Sequence, residues 1–145
     1  MHQHRLTRSI TMICTICFLT AFFSAGNVFA GSAALNCQAH DGPCTLPVGN
    51  ETVTLEITPR PVTAMQESTF TVTVSGSQPT GAPYIDLGMP AMKMGPNRVM
   101  LKPAGNGAYT GKGVIVRCKS GRRTWFAHVV LPGAGETRFV FDVVY

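Results

Sequence analysis

Three methionines in one short stretch are the residues of this sequence with the clearest chemical potential. Met89, Met92 and Met94 lie between Gly88 and Asn97, in the order Gly-Met-Pro-Ala-Met-Lys-Met-Gly-Pro-Asn. Glycine and proline at both ends of the stretch favour a loop. Thioether sulfur is a soft donor that suits Cu(I). The stretch therefore predicts a copper(I) site at Met92 and Met94, with Met89 as a further donor. The alternative is that these side chains pack one end of a core.

The first thirty residues have the layout of a secretory signal peptide. A short basic start is followed by a mostly apolar run from Ile10 to Ala25, and Val28-Phe29-Ala30 fits a small-x-Ala cleavage site. The apolar run is shorter than the roughly 20 residues of a membrane-spanning helix. We expect cleavage after Ala30 and a periplasmic or secreted protein. The alternative is an uncleaved N-terminal anchor.

The cysteines that follow this leader are Cys37, Cys44 and Cys118. The first two bracket a segment that contains the turn sequence Asp-Gly-Pro, and an exported protein meets oxidising conditions. We expect a Cys37–Cys44 disulfide that contributes roughly 2–3 kcal/mol by closing a short loop. Cys118 is then a free thiol. It is either a further copper donor or a buried apolar residue.

Apolar residues alternate with polar ones from residue 52 onward, which is typical of half-buried strands. Predicted strands cover residues 52–58, 69–74, 84–87, 98–101, 109–118, 124–131 and a last strand that includes residues 139–143. No convincing helix appears. The pattern predicts an all-β, immunoglobulin-like β-sandwich of about seven strands over residues 52–145. An N-terminal segment, residues 31–51, would precede it and carry the Cys37–Cys44 loop.

One hairpin can be predicted in register. If Gly121 and Arg122 form a two-residue loop, Ser120 pairs with Arg123 and Cys118 falls opposite Trp125. An inward face would then include the residues Val114, Val116, Cys118, Trp125, Ala127 and Val129. The outer face and the turn would carry four cations, namely Arg117, Lys119, Arg122 and Arg123. These are either a solvated hairpin tip or a contact for an anionic lipid or an acidic partner.

Charge and composition exclude several classes of function. The whole chain carries a net charge of +5, and loss of residues 1–30 would leave a surplus of only three, too small to indicate nucleic-acid binding. Neither a nucleophile–base pattern nor paired carboxylates appear, so we expect no enzyme. His40 and His128 are too few for a histidine-based zinc centre.

Several short motifs resemble a group of small exported bacterial proteins. They are Met-Lys-Met-Gly-Pro-Asn at residues 92–97, Gly-Ala-Tyr-Thr-Gly at 107–111, Cys118, and Trp-Phe-Ala at 125–127, together with the early Cys-x6-Cys and Ile-Thr-Pro-Arg-Pro at 57–61. The chain is similar in these motifs to YtkA-like and FixH-like periplasmic domains. That resemblance implies an immunoglobulin-like sandwich, a bacterial periplasm, and a link to copper handling or cytochrome oxidase assembly.

Two functional hypotheses follow. The first is a monomeric periplasmic accessory domain that binds Cu(I) through Met92 and Met94, with Met89 and Cys118 as additional donors. The second is a non-metal interaction module of the cell envelope. In that case the methionine stretch and the four cations contact an envelope or membrane-protein partner.

Overall fold

The computed structural model of the protein describes residues 33–145, so the predicted signal peptide lies outside the described residues. Every regular element from residue 33 to the last residue is a β-strand. Across this range no helix is long and apolar enough to cross a membrane. The prediction of an all-β sandwich is confirmed.

Nine strands form two antiparallel sheets. Their bounds are Cys44–Val48 (β1), Glu51–Thr58 (β2), Glu67–Ser75 (β3), Tyr84–Gly88 (β4), Arg98–Met100 (β5), Lys102–Gly105 (β6), Ala108–Val114 (β7), Thr124–Leu131 (β8) and Gly135–Asp142 (β9). One sheet has the order β1-β2-β3-β7-β6 and the other the order β5-β4-β8-β9.

The strands with the clearest alternation in sequence carry the centre of the core. Leu55 of β2 lies opposite Val72 of β3, and both side chains are buried. Trp125 of β8 lies opposite Phe141 of β9, and neither is exposed to solvent. Each fully buried large apolar side chain contributes roughly 1.5–3 kcal/mol relative to an exposed one, so each sheet supplies a strongly stabilising inner face to the core.

Two strands, β1 and β6, were not predicted because their residues break the usual alternation of a strand. β1 contains Pro47, and β6 runs Lys-Pro-Ala-Gly with all four residues exposed. Both are edge strands, where proline is tolerated because its missing N–H faces away from the ladder. Residues 44–48 therefore pair with β2 rather than remaining a separate segment.

The predicted hairpin between residues 114–118 and 125–129 is wrong. β7 pairs with β3 and β6, whereas β8 pairs with β4 and β9, so the chain crosses from one sheet to the other over residues 115–123. The turn is also displaced from its predicted place. The Gly121 N–H donates to the Cys118 carbonyl at 3.0 Å, which centres the turn on Lys119 and Ser120. The Arg123 carbonyl accepts from the N–H of Val143 instead of pairing with Ser120.

Two glycines explain why the predicted inward face of β7 was one residue out of phase. Gly111 pairs with buried Phe70, and Gly113 pairs with buried Ser68, so the odd-numbered positions face inward. A Cβ at Gly113 would lie 2.4 Å from Cγ2 of Val99. These positions are glycines because β5 passes too close for a side chain. A glycine is not an apolar residue of the alternating pattern, so the inward face of β7 could not be recognised from it.

As a result, the burial predicted for two valines is also wrong. Val114 and Val116 are exposed, and the residue between them, Ile115, is fully buried. Past Val114 the chain leaves the sheet, and Cys118 turns back into the core. The predicted burial of Cys118, Trp125, Ala127 and Val129 is confirmed.

The antiparallel strands place the long connections at one end of the sandwich. We call this the loop end. It contains the β2–β3 connection (59–66), the β4–β5 connection (89–97) and the β7–β8 crossover (115–123). Residues 33–43 lead into β1 there, and residues 143–145 follow β9 there. The opposite end has the connections 49–50, 76–83, 106–107 and 132–134.

Candidate functional site

The β4–β5 connection, which we call the methionine loop, begins with a turn. The Met92 N–H donates to the Met89 carbonyl at 3.3 Å, and Ala91 has a φ of 58°, in the left-handed region. Gly88 precedes the loop at a position where a Cβ would lie 2.4 Å from the Phe126 ring. The entry to the loop is therefore set by close packing against β8.

The three methionines of this loop have different surroundings. Met89 is only 2% exposed and belongs to the core, whereas Met94 is half-buried against the core. Met92 is 38% exposed. Met92 can therefore reach a ligand directly, whereas Met89 would lose roughly 1.5–3 kcal/mol of burial by leaving the core. The donor roles of all three stay predictions.

Asn97 ties the far side of the methionine loop to both sheets. Its backbone carbonyl accepts from the Leu87 N–H at 2.8 Å, and its side-chain amide donates to the Val114 carbonyl at 3.1 Å. Val114 is the last residue of β7, directly before the crossover. The methionine loop and the crossover are thus neighbours joined by a hydrogen bond.

A fourth methionine, which the sequence analysis did not single out, lies beside the crossover. Met65 has a φ of 65° and a side chain that is 65% exposed. Its N–H donates to the Ile115 carbonyl at 2.7 Å, and its sulfur accepts from the Arg117 N–H at 3.4 Å. Met65 is distant in sequence from the other methionines, and no local signal marked it. Only the alignment of β3 with β7 reveals its position.

Met65 and Cys118 line one open pocket of about 500 Å³. The other lining residues are Arg117, Lys119 and Gly121. Cys118 is 9% exposed, and its sulfur lies 3.0 Å from the Ser120 hydroxyl. A thioether and a thiol therefore border the same recess, which is a soft pair of donors.

The surroundings of Cys118 make its thiol easier to deprotonate. The hydrogen bond with the Ser120 side chain lowers the pKa of the Cys118 thiol, and burial opposes this effect. Backbone hydrogen bonds from Ser120 and Arg122 lower that pKa further, as does the Arg122 charge. A thiolate is the metal-binding and nucleophilic form of cysteine.

Tyr145 fixes the crossover from its other side. The Tyr145 hydroxyl accepts from the Cys118 N–H at 3.2 Å and donates to the Arg122 carbonyl. The Arg117 guanidinium lies 5.3 Å from the centre of the Tyr145 ring, within range of a cation–π contact. Tyr145 thus orders the segment that carries Cys118, a role that its sequence context gave no reason to expect.

The predicted disulfide is present between Cys37 and Cys44, and Cys118 is a free cysteine. The bridge lies near the loop end, because Cys44 pairs with Leu55 toward the end of β2. Close by, His40 accepts a hydrogen bond from the Val62 N–H at 3.0 Å. The disulfide therefore helps to hold the N-terminal segment against the sandwich.

The predicted contact cations lie on the surface of the crossover. Arg117, Lys119, Arg122 and Arg123 are all exposed. Among residues 33–145, ion pairs with lysine or arginine involve only Arg60, Arg98 and Lys112. The four crossover cations thus carry no carboxylate partner. The same holds for Lys93 of the methionine loop.

Nitrogen and oxygen donors do not assemble a metal site here. In the part of the chain that the structure describes, no three histidine, cysteine or carboxylate side chains cluster as a metal ion would need. His128 lies opposite Asp86, with its Nε2 3.5 Å from Glu136. A metal site at the loop end would therefore depend on methionine sulfur together with Cys118.

Comparison with known proteins yields no match to a protein-family model, a curated protein or a solved structure. The features that bear on function are thus the fold and the methionine and cysteine side chains at the loop end.

Proposed function

We propose that the protein is an exported accessory domain of the bacterial cell envelope that binds Cu(I) at the loop end. Copper handling or oxidase assembly is the role that fits such a domain, and an immunoglobulin-like type of sandwich is part of the same proposal. One observation carries it. Four of the five methionines in residues 33–145 and their free cysteine lie at one end of the sandwich.

Charge favours a donor set that includes Cys118. A Cu(I) ion in the pocket would stand beside Arg117 and Lys119, and thioethers do not neutralise its charge. A thiolate does, and the lowered pKa of Cys118 makes that form more accessible. Met65 can supply a thioether to the same pocket. Met92 and Met94 are the donors expected from the adjoining loop.

The test is a Cu(I) competition titration against a chelator of known affinity. Met92→Leu/Met94→Leu and Cys118→Ser are measured beside wild type. Leucine keeps the apolar volume of methionine at a cost under about 1.5 kcal/mol, and serine is close to cysteine in size, so we expect both variants to fold. We expect affinity to fall by about tenfold or more, since each tenfold step corresponds to about 1.4 kcal/mol.

Met100→Leu is the matched control. Met100 is 53% exposed but pairs with Tyr84, at the start of β4 and away from the loop end. We expect it to keep wild-type affinity. Copper affinity that is unchanged in folded Met92→Leu/Met94→Leu and Cys118→Ser proteins would overturn the site, as would equal losses in the Met100→Leu control.

The second candidate is a non-metal interaction module of the cell envelope. It is favoured by the exposed apolar side chains Met65, Met92, Val114 and Val116, which share the loop end with the unpaired cations. The two candidates separate in one experiment. A module of this kind retains its partner in the presence of a copper chelator and in the Met92→Leu/Met94→Leu variant.

A further inference from the structure

Five of the seven lysines and arginines of residues 33–145 that make no ion pair lie at the loop end. Three of the acids near the loop end are engaged: Glu56 pairs with Arg60, Glu67 pairs with Lys112, and Asp142 accepts from the Thr124 hydroxyl. The crossover has no acid at all. Its four cations and Lys93 form a basic surface that no carboxylate of residues 33–145 neutralises by an ion pair.

Apolar side chains project from the same surface. Met65, Met92 and Val116 are exposed, and they come from three separate connections. Met65 and Arg117 are in direct contact, as are the Asn97 side chain and Val114. Exposed apolar side chains and unpaired cations therefore share the loop end, and Met65 directly contacts one of these cations, Arg117.

We infer that the loop end docks on an anionic phospholipid surface. Cations attract acidic headgroups, and projecting apolar side chains enter the interface between headgroups and acyl chains. A fluid bilayer accepts side chains from separate loops without a matching shape. A protein partner would instead need a complementary surface of about 800 Å² on its own side. This inference goes beyond copper binding and does not depend on it.

The probe is co-sedimentation with vesicles of phosphatidylglycerol and phosphatidylcholine, compared with phosphatidylcholine alone. The exported form of the protein is used, and a copper chelator is present. We expect binding to the anionic vesicles only, with affinity that falls at high salt because screening shortens the reach of charges.

Matched variants locate the contact. Lys119→Gln should weaken binding by about fivefold, the contribution typical of one lysine at an anionic surface. Lys102→Gln removes the same charge from edge strand β6 and should change nothing. Met65→Gln should weaken binding severalfold, whereas Met100→Gln should not. All four substituted residues are exposed, so the fold is retained.

Three results would overturn the inference. They are no binding to anionic vesicles, equal binding to both vesicle types, and equal losses in Lys119→Gln and Lys102→Gln. Binding to poly-glutamate without binding to vesicles would assign the basic surface to an acidic protein and would also reject the membrane. A protein that binds anionic vesicles but not copper would reject only the copper proposal. A protein that binds copper but not vesicles would reject only this inference.

Discussion

The two ends of this sandwich hold the connections between their strands in different ways. At the opposite end, three of the four connections are short, have a glycine at positive φ (Gly49, Gly107 and Gly133) and join strands of one sheet. At the loop end, the connections are longer and are held by tertiary contacts, among them Asn97 to Val114 and Tyr145 to the crossover. Local sequence dictates a tight turn, whereas a long loop depends on residues far away in the chain. The loop end therefore brings together residues that are far apart in the sequence, such as Met65 and Cys118.

The largest effect should come from removing the disulfide that anchors the N-terminal segment at the loop end. Cys37→Ala/Cys44→Ala should lose roughly 2–3 kcal/mol of unfolding free energy, because the unfolded chain regains the entropy of the closed loop. Denaturant titration measures this loss.

Reduction of wild type should reproduce the loss, and the double variant should not respond to reductant. If the free energy of unfolding fell by less than about 0.5 kcal/mol in both the double variant and reduced wild type, the N-terminal segment would be held without the disulfide. Contacts such as the hydrogen bond from the Val62 N–H to His40 would then hold it. The disulfide would then not be what stabilises the loop end.

A smaller effect should come from the glycine that lets β5 and β7 approach at the base of the loop end. Gly113→Ala places a Cβ against Val99 and Phe70, and we expect a loss of about 1–3 kcal/mol from overpacking. Thermal or denaturant unfolding provides the measurement.

Gly95→Ala is the matched control within the methionine loop. Nothing lies within 4 Å of a Cβ at Gly95, so its stability should stay within about 0.5 kcal/mol of wild type. Equal stability of the two variants would contradict the close approach of β5 and β7. It would also remove the physical reason for the shifted face of β7.

The smallest effect concerns protonation of the free thiol at the loop end. Since the Ser120 hydrogen bond is the first cause of its lowered pKa, Cys118 should form thiolate with a midpoint below the ordinary value of 9.0. Ser120→Ala should raise that midpoint, and Ser77→Ala, at the opposite end, should not. Ultraviolet absorbance of the thiolate follows the titration.

The sign of the linked stability change follows from the direction of this shift. A thiol pKa that is lower in the folded protein adds stability at high pH, and this increment disappears as the pH falls through the folded pKa. An unshifted midpoint in wild type, or a Ser77→Ala effect equal to that of Ser120→Ala, would contradict the assignment to Ser120.

The same contrast explains which features could be predicted from sequence. Leu55 and Val72 alternate with threonines, so their strands and inward faces followed from the pattern, and the turn sequence between Cys37 and Cys44 indicated their bridge. The inward face of β7 could not be predicted because it carries Gly111 and Gly113, which are needed where β5 of the other sheet passes close by. Met65 joins Cys118 only through the pairing of β3 with β7, which no local signal specifies.

Strand β5 and strand β6 are consecutive, yet they belong to different sheets, with Leu101 between them. At another edge, the Asn36 and Cys37 N–H groups both donate to the Val140 carbonyl of β9, so residues 36–37 lie against that edge strand. Pro47 and Pro103 interrupt the two outer strands of the larger sheet. Open strand edges are what β-proteins use to polymerise. We therefore expect the sides of this molecule to be poor templates for amyloid-like growth, even at high protein concentration.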